Sequence, residues 1–188
     1  DRNKHPRCKE HDEETILDLL NRKELKERSV IKLEAEKAGN GDRLKALNDI
    51  VVNKQFTTSC VRYRIWLDEK PYGDQIVGDG LVAATPFGST AYYRSITRSL
   101  FQVGLGLAFN NCTEPFDHLV VSETTEITVE ILRGPAVVTA DNSPEQIELK
   151  RNERAHIRKA AECTSVLGLE MFRCPTCTNQ RQNTFPVF

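Results

Sequence analysis

The chain has 188 residues, with 26 Lys and Arg set against 27 Asp and Glu for a net charge of −1. That balance gives no global field for nucleic acid or an anionic membrane surface. With 39% hydrophobic and 28% charged residues it has the composition of a folded domain with a real core, and the longest apolar run, Leu100 to Phe109, is broken by Gln102 and glycines and falls short of the ~20 residues a bilayer span needs.

In chain order, residues 1–11 are polar, carry His5, Pro6 and His11, and read as an irregular entry. Asp12 is placed to cap a short amphipathic helix over 13–21, with acidic residues in its first turn and Ile16, Leu19 and Leu20 on one face. From Ser29 the period changes to two. Ile31, Leu33 and Ala35 alternate with charged residues as a half-solvated strand, and Gly39-Asn40-Gly41-Asp42 closes it as a turn. Ala46 to Val52 reads as one mostly buried strand, interrupted by Asn48 and Asp49. Residues 61–67 are a strand, 68–73 a turn, and 74–77 and 81–85 strands on either side of Gly78-Asp79-Gly80. A helix is expected from Thr90 to about Phe101, with Ser89 or Thr90 near its cap. Further strands follow at 119–121, 127–131, 136–138, 147–149 and 155–159. The tail 168–188 shows no period. Short strands at regular spacing, punctuated by Gly, Asn, Asp and Pro, predict a mainly β fold: a two-layer antiparallel sandwich over 12–167, with one helix before the sheet and one inserted after the glycine loop. Neither G-x-G-x-x-G nor a Walker A loop occurs.

Six cysteines without a secretory pattern point to reduced thiols in the cytoplasm. Cys174-Pro175-Thr176-Cys177 has the spacing of half a zinc knuckle, but a second half from His5, Cys8 and His11 would need the two termini to meet, so zinc is not expected. No strand-to-helix thioredoxin pattern surrounds the pair.

The polar pair Asn48-Asp49 inside an apolar strand is costly unless it finds partners or faces a cleft, and it falls best where a strand ends or bulges. A carboxylate beside a carboxamide can chelate a sugar diol, while alternation alone explains one of the two. In Gly88-Ser89-Thr90-Ala91-Tyr92, small residues let a flat ring approach the backbone and Tyr92 offers a stacking face; a plain helix cap with a core tyrosine is the simpler reading of the same pattern. Asp79 reads locally as a turn residue, and so does Asp141 in Asp141-Asn142-Ser143. Ser89 lacks the strained elbow and the histidine partner of a nucleophile. Arg94 and Arg98, four apart, are expected on one face of the inserted helix, turned to solvent or to a phosphate.

The order of these features resembles the C-terminal, substrate-binding domain of the NAD kinase family. It runs from Leu47-Asn48-Asp49 to Asp79-Gly80, then Thr85-Pro86-Phe87-Gly88-Ser89-Thr90-Ala91-Tyr92, and then Gly134 to Asp141 before a basic last strand. The family pattern has an Asn-Glu pair, then Asp-Gly with Thr-Pro-Thr-Gly-Ser-Thr-Ala-Tyr, then a Ser-x-Asp-Gly-like turn, and the resemblance spans about residues 12–160. It implies transfer of the γ-phosphoryl group of ATP, bound to a divalent metal such as Mg2+, to the 2′-hydroxyl of the adenosine ribose of NAD, giving NADP. It further implies that Asn48 and Asp49 hold ribose, that Thr90, Ala91 and Tyr92 wall the adenine with Ser95 nearby, and that Asp141 belongs to the same NAD site. Asp79 would serve the site of a neighbouring subunit in a homodimer or homotetramer. The family's catalytic Gly-Gly-Asp-Gly loop is absent, so no catalytic residue is assigned in this chain, and an N-terminal α/β domain is the expected partner that carries the loop. Asp49 stands for the usual Glu, Phe87 for a small residue, and Thr97-Arg98 for a common Gly-Gly. The alternatives are a non-catalytic ligand-binding or assembly sandwich, or a kinase of related fold acting on another acceptor; no metal site, nucleic acid or membrane partner is expected.

Overall fold

A computed structural model describes residues 13–169 of the chain. The expected cap at Asp12, the 1–11 entry, most of the 168–188 tail, and His5, Cys8, His11, Cys174 and Cys177 therefore lie outside the described residues. The described residues divide into two units, one formed by 13–30 with 164–169 and one by 31–163.

In the first unit, helix α1 spans Glu13–Asn21 and carries Glu13 and Glu14 in its first turn, where they suit the helix dipole. An Asp18–Arg22 ion pair at 3.0 Å follows its surface. The N–H of Gly168 donates to the carbonyl of Lys26 at 2.9 Å.

The second unit is a sandwich of two six-stranded sheets. In chain order its strands are β1 (Glu27–Lys37, entering from the first unit), β2 (Arg43–Ala46), β3 (Asp49–Lys54), β4 (Val61–Leu67), β5 (Lys70–Gly78) and β6 (Gly80–Ala84). Helix α2 (Tyr92–Thr97) comes next. It is followed by β7 (Leu105–Asn110), β8 (His118–Val121), β9 (Ile127–Arg133), β10 (Ala136–Ala140), β11 (Gln146–Leu149) and β12 (Arg154–Leu167, leaving into the first unit). One sheet runs β2-β1-β12-β9-β4-β5 and the other β11-β10-β3-β6-β7-β8. The mainly β, two-layer antiparallel sandwich with two helices is thus the observed fold.

Alternation explains the core. Leu33, Tyr63, Ile65 and Val129 from the first sheet meet Ile50, Val52, Leu81 and Leu107 from the second, all fully buried. Burying the phenol of Tyr63 is tolerable because it donates to the carbonyl of Gly80 at 3.0 Å, which also ties one sheet to the other. The outer face of the second sheet carries a smaller cluster, in which Val82, Ala84 and Ala108 are covered by Tyr93 and Phe101. Gly106 makes that cover possible. A β-carbon there would fall 2.2 Å from the Phe101 ring and 2.8 Å from that of Tyr93.

Four expectations change. The strand expected over Ala46–Val52 is two strands, because the chain leaves one sheet after Ala46 and joins the other at Asp49. The turn expected over 68–73 is only Asp68-Glu69, both with positive φ, so that β5 begins at Lys70. The apolar run before Phe109 contains strand β7, which pairs with both β6 and β8. The helix expected from Thr90 to Phe101 shortens to Tyr92–Thr97, preceded by a 3-10 turn over Gly88–Thr90, and neither has a side-chain cap. It stops because Arg98 takes a left-handed conformation, φ 58°, and because the Thr97 hydroxyl folds back to the carbonyl of Tyr93. Arg98 therefore does not share a helical face with Arg94.

Candidate functional site

The site begins with a topological necessity. Between β2 and β3 the backbone crosses from sheet to sheet, and the N–H groups of Leu47, Asn48 and Asp49 need acceptors. The carboxylate of Asp141 supplies all three, at 2.7, 2.8 and 3.1 Å. Asp141 is held in turn by its own N–H, which donates to the carbonyl of Asp49 at 3.0 Å. Its φ of 48° suits the turn that ends β10. The carboxylate expected at a ligand is thus engaged first in shaping the loop that presents Asn48 and Asp49.

A second loop is pressed against the crossover. The N–H of Thr85 donates to the carbonyl of Asn48 at 2.9 Å, and the Thr85 hydroxyl donates to the carbonyl of Leu47 at 2.6 Å. The same hydroxyl accepts the N–H of Gly88 at 3.0 Å. Only glycine fits at 88, since a β-carbon would lie 2.1 Å from the Asn48 carbonyl oxygen. Ser89 is buried and donates to the carbonyl of Pro86 at 2.8 Å instead of capping the helix as expected. Because the two loops touch here, the exposed residues Thr90, Ala91 and Tyr92 emerge beside Asp49. The backbone N–H of Tyr92 donates to the Asp49 carboxylate. Ser95, also exposed, turns its hydroxyl to the carbonyl of Tyr92 at 2.7 Å.

Asp49 itself is 6% exposed. Burial, together with the negative charge of Asp141 and only partly offset by the Tyr92 N–H, pushes its carboxyl up to about 6. A carboxylate so placed is short of hydrogen-bond donors, and a pair of ligand hydroxyls would supply them. Asn48 is half-buried, and its carboxamide makes no hydrogen bond among the described residues, which leaves both its donor and its acceptor available. Tyr92, 37% exposed, lays a ring surface open beside them, steadied at its hydroxyl by the Asn110 carboxamide at 3.1 Å. Asn110 was not legible as part of this arrangement, since only the strand register brings it there.

Seven of the eight expected positions thus gather at one end of the second sheet: Asn48, Asp49, Thr90, Ala91, Tyr92, Ser95 and Asp141. Asp79 stands apart from Asp49, although its N–H donates at 2.9 Å to the carbonyl of Asn110, the residue whose carboxamide meets the Tyr92 hydroxyl. It sits beyond Gly80, which pairs with Asn53, whereas Asp49 pairs with Ala84, so at least four residues of strand separate the two, about 13 Å. There Asp79 is paired with Lys54 at 2.6 Å and accepts from Asn111 at 2.7 Å, and these contacts hold its carboxyl below the usual carboxylate range. Among the described residues no group of three or more His, Cys, Asp or Glu could hold a metal ion. Cys60, Cys112 and Cys163 are free thiols. No helix among the described residues is long and apolar enough to cross a membrane.

Residues 47–168 match the family model of the ATP-NAD kinase C-terminal domain. Curated relatives include NAD kinases from Clostridium beijerinckii, 33% identical over 125 residues (65% of this chain and 41% of that protein), and Syntrophotalea carbinolica, 32% identical over 130 residues (66% and 45%). The chain spans less than half the length of these relatives. Among solved structures, yeast NADH kinase complexed with NADH superposes with a TM-score of 0.80 at 18% identity, covering 96% of this chain and 55% of that one. An NAD kinase from Archaeoglobus fulgidus in complex with ATP gives 0.71 at 20% identity, covering 90% and 66%. At such identities the superpositions speak for the fold.

The raised Asp49 carboxyl sets a pH dependence. In the unfolded chain this group titrates near 4 and in the folded chain near 6, so the folded state holds the proton more tightly between those values. The favourable contribution is complete below about pH 4 and is lost as pH rises through 6. Asp49→Asn keeps an acceptor for the Tyr92 N–H and removes the charge. It should stabilise the fold above pH 7 by up to about 3 kcal/mol, at 1.36 kcal/mol per unit, and flatten the melting temperature between pH 4 and 6. Calorimetric melting of both forms across that range checks this.

Proposed function

This chain belongs to the ATP-NAD kinase C-terminal domain family, and on that premise we propose that it is the substrate-binding part of an enzyme that phosphorylates NAD to NADP. In this reading the adenosine ribose of NAD rests at the crossover. Its diol hydroxyls donate to the Asp49 carboxylate and exchange hydrogen bonds with the Asn48 carboxamide. The adenine lies in the slot beside Thr90 and Ala91, with the Tyr92 ring as a wall and Ser95 at the edge. Asp141 belongs to this site chiefly through the loop that it holds in place.

ATP bound to a divalent metal, Mg2+, supplies the γ-phosphoryl group. The described side chains offer no group of three or more His, Cys, Asp or Glu to hold that metal. Activation of the 2′-hydroxyl belongs to a Gly-Gly-Asp-Gly loop on an N-terminal α/β domain of the full-length protein. The part of this chain is positioning, which is most of what phosphoryl transfer asks of a protein.

The single observation that carries this reading is the convergence of Asn48, Asp49 and Tyr92 at the contact between two loops that are far apart in sequence. Isothermal titration of the full-length protein with NAD tests it. Asp49→Ala and Tyr92→Ala should each weaken NAD by tenfold or more, a loss of about 1.4 kcal/mol. Wild-type protein that neither binds NAD nor makes NADP with any phosphoryl donor overturns it.

Asp79, separated from Asp49 by at least four residues of strand, is assigned to the site of a neighbour in a homodimer or homotetramer. Subunits carrying Asp79→Ala and subunits carrying Asp49→Ala should then each be impaired alone and partly active when mixed. In a mixed pair one site has both residues intact. If mixing restores nothing, the shared site is wrong.

A further inference from the structure

At the opposite end of the second sheet from Asp141 lies a groove of about 670 Å³ that the NAD reading does not use. Its walls carry Arg62 from β4, Arg133 at the end of β9, and Lys150 and Arg151 from the turn after β11, together with Gln75 and a single carboxylate, Glu148. A volume of this size lies in the range of small-molecule sites.

The charges in this lining are poorly answered by the protein itself. Arg62 and Arg133 stand directly opposite each other on neighbouring strands, a like-charge pairing that costs stability unless something neutralises it. None of the four cations makes an ion pair among the described residues, a state they share with Lys32, Arg64, Lys70, Arg94 and Arg98, so it is their gathering in one groove that is distinctive. The Nε of Arg62 is buried and has no hydrogen-bond partner in the fold, so a donor faces inward unsatisfied. That buried atom lies out of a groove ligand's reach, but the Arg62–Arg133 repulsion does not, and an anion in the groove would relieve it. Glu148 is the only carboxylate of the lining; Glu153, which accepts the Lys150 N–H at 2.7 Å, is itself paired with Lys37, so positive charge prevails in the groove.

We propose that this groove binds a small, multiply charged phosphate anion of the pyrophosphate or tripolyphosphate class. Guanidinium groups match phosphate oxygens in pairs, and two arginines with a lysine and a further arginine suit an anion that carries more than one phosphate. The site is separate from the Asp49 loop. The length of β10, five residues or about 16 Å, lies between Pro135 in the groove and Asp141. The inference does not depend on the identity of the ligand at Asp49.

Titration of the full-length protein with tripolyphosphate in the presence of saturating NAD and ATP tests it. The wild type should bind one tripolyphosphate per chain in addition to the occupied nucleotide sites. Arg133→Gln with Arg151→Gln should weaken that binding tenfold or more. Arg151→Gln alone, on an exposed turn where it cannot unfold the sandwich, should weaken it severalfold. Lys159→Gln, outside the groove, should leave it unchanged, and all variants should bind NAD as the wild type does. The absence of saturable tripolyphosphate binding, or equal binding by the double variant, overturns the proposal.

Discussion

Everything at the Asp49 end of the sandwich hangs on three hydrogen bonds to one carboxylate. The chain must pass from one sheet to the other between Ala46 and Asp49, and in doing so its N–H groups lose their ladder partners. Asp141 takes all three, and the carbonyl of Asp49 takes the Asp141 N–H in return. Bonds from N–H groups to an ionised acceptor are among the stronger ones available to a backbone, and here they set where Asn48 and Asp49 point. The second loop is then registered against the first by Thr85 and by the close approach that only Gly88 permits. Sheet topology, one carboxylate and one glycine are sufficient to bring residues 48–49 and 90–92 together.

The arrangement is not the one that stability alone would select. Asp49 is buried next to a second carboxylate, with the Tyr92 N–H as partial relief, so its ionised form is disfavoured. A fold under no functional demand would place an amide or an apolar residue there. On the proposed reading the missing donors arrive with the ligand, whose diol brings two hydroxyls to an acceptor that the protein has left under-satisfied. The opposite end of the sandwich has the mirror-image imbalance, with cations gathered around a groove and too little negative charge to answer them. Asp79 shows what a satisfied carboxylate looks like on the same sandwich: paired with Lys54 and Asn111, it titrates lower than usual.

Much of this was legible in the residues. Period-two alternation located most strands, and the costly pair Asn48-Asp49 announced a strand end. The order of short motifs pointed to the family that the comparisons support. What was not legible came from long-range pairing. Strand β7 was hidden because both of its faces are covered, one by the sandwich core and the other by Tyr93 and Phe101, so its sequence has no polar alternation to betray it. The inserted helix looked longer because nothing in Thr97-Arg98 signals a left-handed residue. The distance between Asp79 and Asp49 followed only from the register of β3 against β6, and the contact of Asn110 with Tyr92 only from that of β6 against β7.

The most direct question is whether the Asp49 carboxylate receives the ribose hydroxyl that becomes phosphorylated. A double cycle answers it, with wild type and Asp49→Ala of the full-length protein each titrated with NAD and with the analogue lacking the adenosine 2′-hydroxyl. If the carboxylate holds that hydroxyl, its removal should weaken binding to the wild type by about tenfold, some 1.4 kcal/mol, and weaken binding to Asp49→Ala hardly at all. An equal loss in both proteins would mean that the hydroxyl and the carboxylate do not meet.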